Sequence, residues 1–300
     1  MDTTHLTCFS NFWHCEPRPG AAAGRASLGM KLVNSSKSAF YACALAATVF
    51  SCAGVARAEN MRASYRVSLI GLPIGVAVAS SSVADAHYKV NLNVRLTGLA
   101  ALVSNLKMAL ASSGDYEEGA IAPSAYATTA SNSRETRTLR MALNAGTVRQ
   151  VQYSPQWEED KSPEHVPLTA EHKQAILDPL SAFVMPVAPG ADPVGPGACN
   201  RRVPVYDGYT RFDVTLNFVG VKEIKTDGYA GPVTVCSARY IPIAGHKVNG
   251  RTIRFMADNK DMEVWLAPVP NVRVVVPYRV QLMTLAGTAV IEASELRFTP

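Results

Sequence analysis

The chain has 300 residues, of which 48% are hydrophobic and 18% charged, and its net charge is +5. More than half of that excess lies before residue 59, and the remainder, at about +2, gives no general electrostatic case for nucleic-acid binding. The part from residue 59 onward is long enough to bury a core as a single all-β domain.

Residues 1–29 are polar with scattered Gly, Pro and Ala, and they precede a second methionine, Met30. They read as a mis-annotated extension. Met30–Ala58 has the form of a signal peptide: Lys31 and Lys37 make a positive start, and Ala39–Ala53 is an apolar run short for a bilayer span. Ala56-Arg57-Ala58 is an A-x-A site, which places cleavage after Ala58. Cys52 could end a lipobox, but bulky Phe50 sits where a small residue is usual. The expectation is a single exported domain over 59–300, in the periplasm, with no transmembrane span after cleavage.

Period-2 alternation dominates the chain beyond residue 59. Met61–Ile70 places Ala63, Tyr65, Val67 and Leu69 on one face. Gly71–Gly75 turns, and Gly75–Ser82 returns. Ala86–Leu96 alternates most cleanly, with Tyr88, Val90, Leu92, Val94 and Leu96 against Lys89, Asn91, Asn93 and Arg95. Gly98–Gly114 fits helical and strand spacing alike. A short helical turn followed by a strand fits it best, with its leucines packed on the core, because one charge, Lys107, is too few for an interfacial helix. Ser124–Ser131, Arg137–Leu143 and Thr147–Tyr153 are three more strands, the last two joined at Asn144-Ala145-Gly146.

Ser154–Pro167 reads as a polar loop. Thr169 is a candidate N-cap for a helix running to about Leu177, the one short helix expected near 169–183. Pro186–Gly197 is a Pro/Gly loop leading to Cys199. Val203–Tyr206, Tyr209–Val219, Lys222–Thr226 and Val233–Pro242 come next as strands, with turns at Asp207-Gly208 and Asp227-Gly228. Arg251–Met256, Met262–Ala267, Val272–Leu285 and Ala289–Phe298 complete the series. The fold class predicted is all-β with minor α: an antiparallel meander curled into a barrel-like or spiral sheet, since large twisted sheets curl.

Six cysteines are present, but Cys8, Cys15, Cys43 and Cys52 precede residue 59. Cys199 and Cys236 remain, an even pair in an oxidising compartment, and they read as a disulfide. Closing that loop stabilises by about 3–4 kcal/mol in the chain-entropy model. Neither cysteine has the C-x-x-C spacing of a redox or metal pair.

Tyr65 with its GLPIG turn, GAIAPSAY from Gly119, LDPLSAF from Leu177, VPVYDGYTRFDV from Val203, WLAP and VVVPYRVQLMTLAG together resemble the "domain of unknown function 3108" (DUF3108) family of exported bacterial envelope proteins. The resemblance spans nearly all of 59–300. It implies an exported β-rich fold akin to periplasmic lipoprotein carriers. The family has no established reaction, so no catalytic residue carries over.

No G-x-S-x-G elbow, Walker loop or G-x-G-x-x-G is present. His165 and His172 lack the spacing of H-E-x-x-H and read as solvated, and His246 reads as a turn residue. Asp178 reads as punctuation before Pro179, and Asp213 as an exterior strand residue. No catalytic residue, metal or cofactor is expected. The apolar strand faces remain, and Tyr65, Val67, Leu92, Val94, Phe212, Leu216, Trp265 and Val275 are the candidate wall of a cavity. The expected function is non-catalytic: an envelope protein that binds a lipid, a lipidated peptide or a periplasmic protein partner and supports envelope integrity. The alternatives are a solid barrel serving structure and interaction alone and, ranked below it, an enzyme of unknown reaction.

Overall fold

A computed structural model of the chain describes residues 59–300, Asp85 and Glu118 excepted, with the backbone alone described for Val103. The expected extension, signal peptide and cleavage site lie outside the described residues.

Four strands open the fold: β1 (Glu59–Leu69), β2 (Leu72–Ala84), β3 (His87–Leu96) and, after a six-residue helix α1 (Gly98–Val103), β4 (Lys107–Glu117). β5 (Ala120–Ser131), β6 (Thr136–Asn144) and β7 (Thr147–Ser154) continue the meander. An irregular stretch comes next, holding the short strands β8 (His165–Val166) and β9 (Met185–Pro186). β10 (Arg201–Tyr206), β11 (Arg211–Thr226), β12 (Tyr229–Ala244) and the two-residue β13 (His246–Lys247) lead to a second helix, α2 (Arg251–Asp258). β14 (Met262–Pro268), β15 (Val274–Thr284) and β16 (Gly287–Thr299) close the chain. Every ladder is antiparallel, in the order β10-β11-β12-β14-β15-β16-β1-β2-β3-β4-β5-β6-β7, with β9 on β15. The first and last strands are therefore neighbours in mid-sheet, with Tyr65 opposite Ala293.

One cluster of buried side chains draws on both ends of this path. Met61, Tyr88, Tyr126 and Leu139 meet Tyr206, Val233, Val276 and Leu296 in it. Residues at opposite ends of so long a sheet touch only if the sheet curls, and it does so without closing on itself. A second cluster lies beneath the segment that leads into β10, where Met185, Val187, Ala198 and Cys199 cover Leu216, Cys236, Val264, Leu266 and Val275. The disulfide Cys199–Cys236 joins that segment to β12, with Cα atoms 5.7 Å apart. Both cysteines are fully buried.

Three sequence expectations change here. The helix expected from Thr169 to Leu177 is a single 3₁₀ turn, Glu171–Lys173, and a second such turn spans Ser181–Phe183. Ala175 has φ +49°, and the N–H groups of Ile176 and Leu177 bond to Gly146 O and Pro204 O rather than to a preceding turn. Arg251–Met256, expected as a strand, is the start of α2, whose Met256 packs on the second cluster. α1 and β4 match the expected helical turn and strand, but Leu99 and Leu102 are 82% and 83% exposed rather than packed on the core. α1 is the connection between β3 and β4, and these two side chains face solvent from it.

Candidate functional site

The segment LDPLSAF enters the curl of the sheet and shapes the site. Asp178, fully buried, anchors it. The N–H groups of Leu180 and Ser181 donate to Asp178 Oδ1 at 3.0 and 2.9 Å, and the hydroxyls of Ser112 and Ser181 donate to Oδ2. The Tyr88 hydroxyl lies 2.6 Å from Ser181 Oγ, which places β3, β4 and the inserted segment in one network. Burial raises the carboxyl pKa of Asp178, partly offset by these four hydrogen bonds. The network satisfies its polar groups and is sealed from solvent, so it acts as a pin. Its Ser–Asp pairs lack a histidine base and an open reacting position. Asp178 is thus a buried anchor and not a mark of punctuation; the N–H groups of the turn after Pro179 and the two serine hydroxyls hold its carboxylate inward.

Asp213 also departs from expectation. It is 1% exposed and pairs with both Arg202 and Arg211, so two cations share one carboxylate. His165, expected in solvent, has a side chain only 7% exposed and lies 3.1 Å from Glu159 Oε1; it belongs to β8, which pairs with β13. His172 Nδ1 accepts from Thr169 N–H, and His246 is in β13 opposite Val166. Among the described residues no group of three or more His, Cys, Asp or Glu is placed to hold a metal.

The inserted segment leaves an open cleft of about 840 Å³ beside it. Its walls are the β4–β5 turn at Gly119–Ile121, the β6–β7 turn at Ala145-Gly146, the inserted residues Ala175–Leu177 and Val184–Pro186, and Asn200–Pro204. Most of the lining side chains are small and apolar. The polar exceptions are Asn200, Arg201 and Arg202. Arg201 is held by the carbonyls of Cys199, Pro186 and Gly197. The Arg202 side chain is 62% exposed, and because Asp213 is shared with Arg211, the group carries one net positive charge beside the cleft.

The eight expected wall residues do not form one surface. Tyr65, Leu92, Val94 and Trp265 belong to or pack on the first cluster. Leu216 and Val275 lie in the second. Phe212 is 5.0 Å from the Tyr240 ring, and Val67 stands opposite Ile291 on β16. None of the eight lines the cleft. The cleft residues alternate with neither helix nor strand period, so no sequence pattern marks them. The LDPLSAF and VPVYDGY stretches stand out in the sequence as family features alone.

A curled antiparallel sheet, filled by an inserted segment and stapled by the Cys199–Cys236 disulfide, defines a β-barrel-like protein. The chain belongs to the family described as protein of unknown function (DUF3108), whose model matches residues 64–294. Among solved structures, a beta-barrel-like protein of domain of unknown function DUF1849 from Brucella abortus is similar at 9% identity and a TM-score of 0.45, over 80% of this chain and 98% of that one. No curated protein matches this chain. Among the described residues no helix is long and apolar enough to cross a membrane.

Proposed function

We propose that this is an exported, periplasmic, non-catalytic binding module that holds an apolar ligand, a lipid or a lipidated peptide, in the cleft beside the inserted segment and supports envelope integrity. The observation that carries this reading is the cleft itself: about 840 Å³ of open volume lined chiefly by alanine, glycine, proline and aliphatic side chains. A volume of that order suits a ligand with a long hydrocarbon chain. The positive group at Arg202, Arg211 and Asp213 favours an acidic head on such a ligand. The concave side of the sheet is filled, with Tyr88, Leu139, Ile176 and Tyr206 fully buried, so the ligand site moves from the interior to the cleft. The presequence pattern and the Cys199–Cys236 disulfide support an oxidising compartment.

The test is titration of the purified protein with a fluorescent long-chain fatty acid, beside variants Ala120→Trp and Ala188→Trp. Both positions line the cleft and are exposed, so the indole fills the cleft without disturbing the core. Saturable binding by the wild type, weakened at least about tenfold in the variants, is expected. Absence of saturable binding leaves the alternative, in which the filled sheet serves contact with an envelope partner alone. Fractionation and N-terminal sequencing test export, with Glu59 as the expected first residue.

A further inference from the structure

At the end of β4 remote from the cleft, three neighbouring connections carry large apolar side chains into solvent. Leu99 and Leu102 project from α1, Ile70 and Leu72 from the β1–β2 turn, and Leu285 from the β15–β16 turn, each between 48% and 83% exposed. The connections adjoin: Thr97 N–H donates to Ile74 O at 3.0 Å and Ile70 N–H to Thr288 O at 2.8 Å. No charged residue occurs in Leu69–Pro73, Leu96–Leu106 or Thr284–Thr288. Exposed apolar groups gathered at one end of a protein mark an interaction surface.

A second feature lies directly behind α1. Arg95 on β3 stands opposite Lys107 on β4. Both are exposed, and neither has an ion-pair partner among the described residues. Like charges directly opposite each other across a ladder repel, and the pair is relieved by an anion between them. The two cations line a depression of about 260 Å³ with Val76, Val78, Thr129 and Ser131, and no carboxylate lines it.

We propose that this end of the protein docks on an anionic phospholipid bilayer. Leu99, Leu102, Ile70 and Leu72 enter the boundary of the acyl chains, and a lipid phosphate sits between Arg95 and Lys107 with Ser131 as a further donor. The apolar groups are separate protrusions with cations one step behind them, which matches the depth order of acyl chains and headgroup phosphates. A second copy is disfavoured as the occupant, because a two-fold contact brings identical unpaired cations toward each other. The inference goes beyond the cleft reading and stands apart from it. It leaves the cleft at the end of the sheet away from the membrane surface.

The test is flotation of the purified protein with vesicles of phosphatidylcholine alone, or with roughly 30% phosphatidylglycerol, at low and high salt. Variants are Leu99→Ser/Leu102→Ser and Arg95→Gln/Lys107→Gln, all at exposed positions, with circular dichroism confirming the fold. Expected is binding to the anionic vesicles that salt weakens and that each double variant reduces at least about tenfold, with fatty-acid binding in the cleft unchanged. No binding to anionic vesicles, or equal binding by both variants, overturns the proposal. So does a wild-type dimer that Leu99→Ser/Leu102→Ser converts to monomer, because a second copy then covers the tips.

Discussion

Leu177 faces Val205 in a parallel bridge at the free edge of β10, donating its N–H to Pro204 O at 2.7 Å and accepting from Tyr206 N–H at 3.0 Å. One residue earlier, Ile176 N–H reaches Gly146 O in the β6–β7 turn at 3.0 Å. The inserted segment thus spans the gap between the two ends of the sheet, and the Tyr153 hydroxyl crosses the same seam to Gly208 O.

Gly208 tests that seam. Its φ is +98°, and a Cβ there would come within 2.1 Å of Leu139 Cδ1, a side chain 1% exposed with little room to move. Gly190 has a similar φ of +82° with nothing within 4 Å. Gly190→Ala is expected to cost about 1 kcal/mol from backbone strain alone. Gly208→Ala is expected to cost about 2–4 kcal/mol, because overpacking adds to the strain. Urea midpoints of the two variants measure the difference.

The buried carboxyl of Asp178 makes stability depend on pH in a stated direction. Its pKa is raised in the folded state, so folding favours the protonated form. That stabilisation is complete below the ordinary aspartate range and is lost as pH rises through it toward the folded-state value. Asp178→Asn keeps the acceptor for Leu180 and Ser181 N–H and lacks the titration, so its stability should be flatter over about pH 3–7. Asp178→Ala leaves the Leu180 and Ser181 N–H groups unpaired, while the Ser112 and Ser181 hydroxyls keep each other, and should cost about 3 kcal/mol. Equilibrium unfolding across that pH range tests both, and a wild type that gains stability with rising pH relative to Asp178→Asn would refute the sign.

Reducing the Cys199–Cys236 link, or replacing both residues with serine, should lower stability by about 3–4 kcal/mol. Thiol titration of the 59–300 region after denaturation without reductant should find none free, since both sulfurs are in the disulfide.

The two arginines on Asp213 should differ. The Arg211 side chain is 12% exposed and the Arg202 side chain 62%. Arg202→Ala is expected to cost about 1 kcal/mol or less, as solvent screens its pairing. Arg211→Ala, which removes the buried partner of a buried carboxylate, should cost about 2–4 kcal/mol. Arg202→Ala should also weaken an acidic ligand in the cleft more than a neutral one.

Strands were legible wherever one face is buried and the other wet. His87–Leu96 matches the expected strand almost residue for residue, and the Asn144-Ala145-Gly146 turn joins β6 and β7, with Ala145 at φ +47° and Gly146 at +74°. Alternation failed where both faces of the sheet are covered. On β11, Leu216 packs under the disulfide segment while Asp213 is buried among arginines, and period-2 logic read only one of those faces as inside. The inserted segment was illegible for another reason. Asp178 finds Ser112 on β4, 66 residues away in sequence, and no local propensity encodes that pairing.

By itself, the sequence determined the class of fold, most strand boundaries, the cysteine pair and the family, because these rest on local periodicity, turn chemistry and counting. Only the tertiary structure decided that LDPLSAF fills the curl, that the open volume lies beside it, and that Leu99 and Leu102 face solvent. Those outcomes depend on which distant surfaces meet when the sheet curls, and a one-dimensional pattern records what each face wants without recording what arrives to cover it.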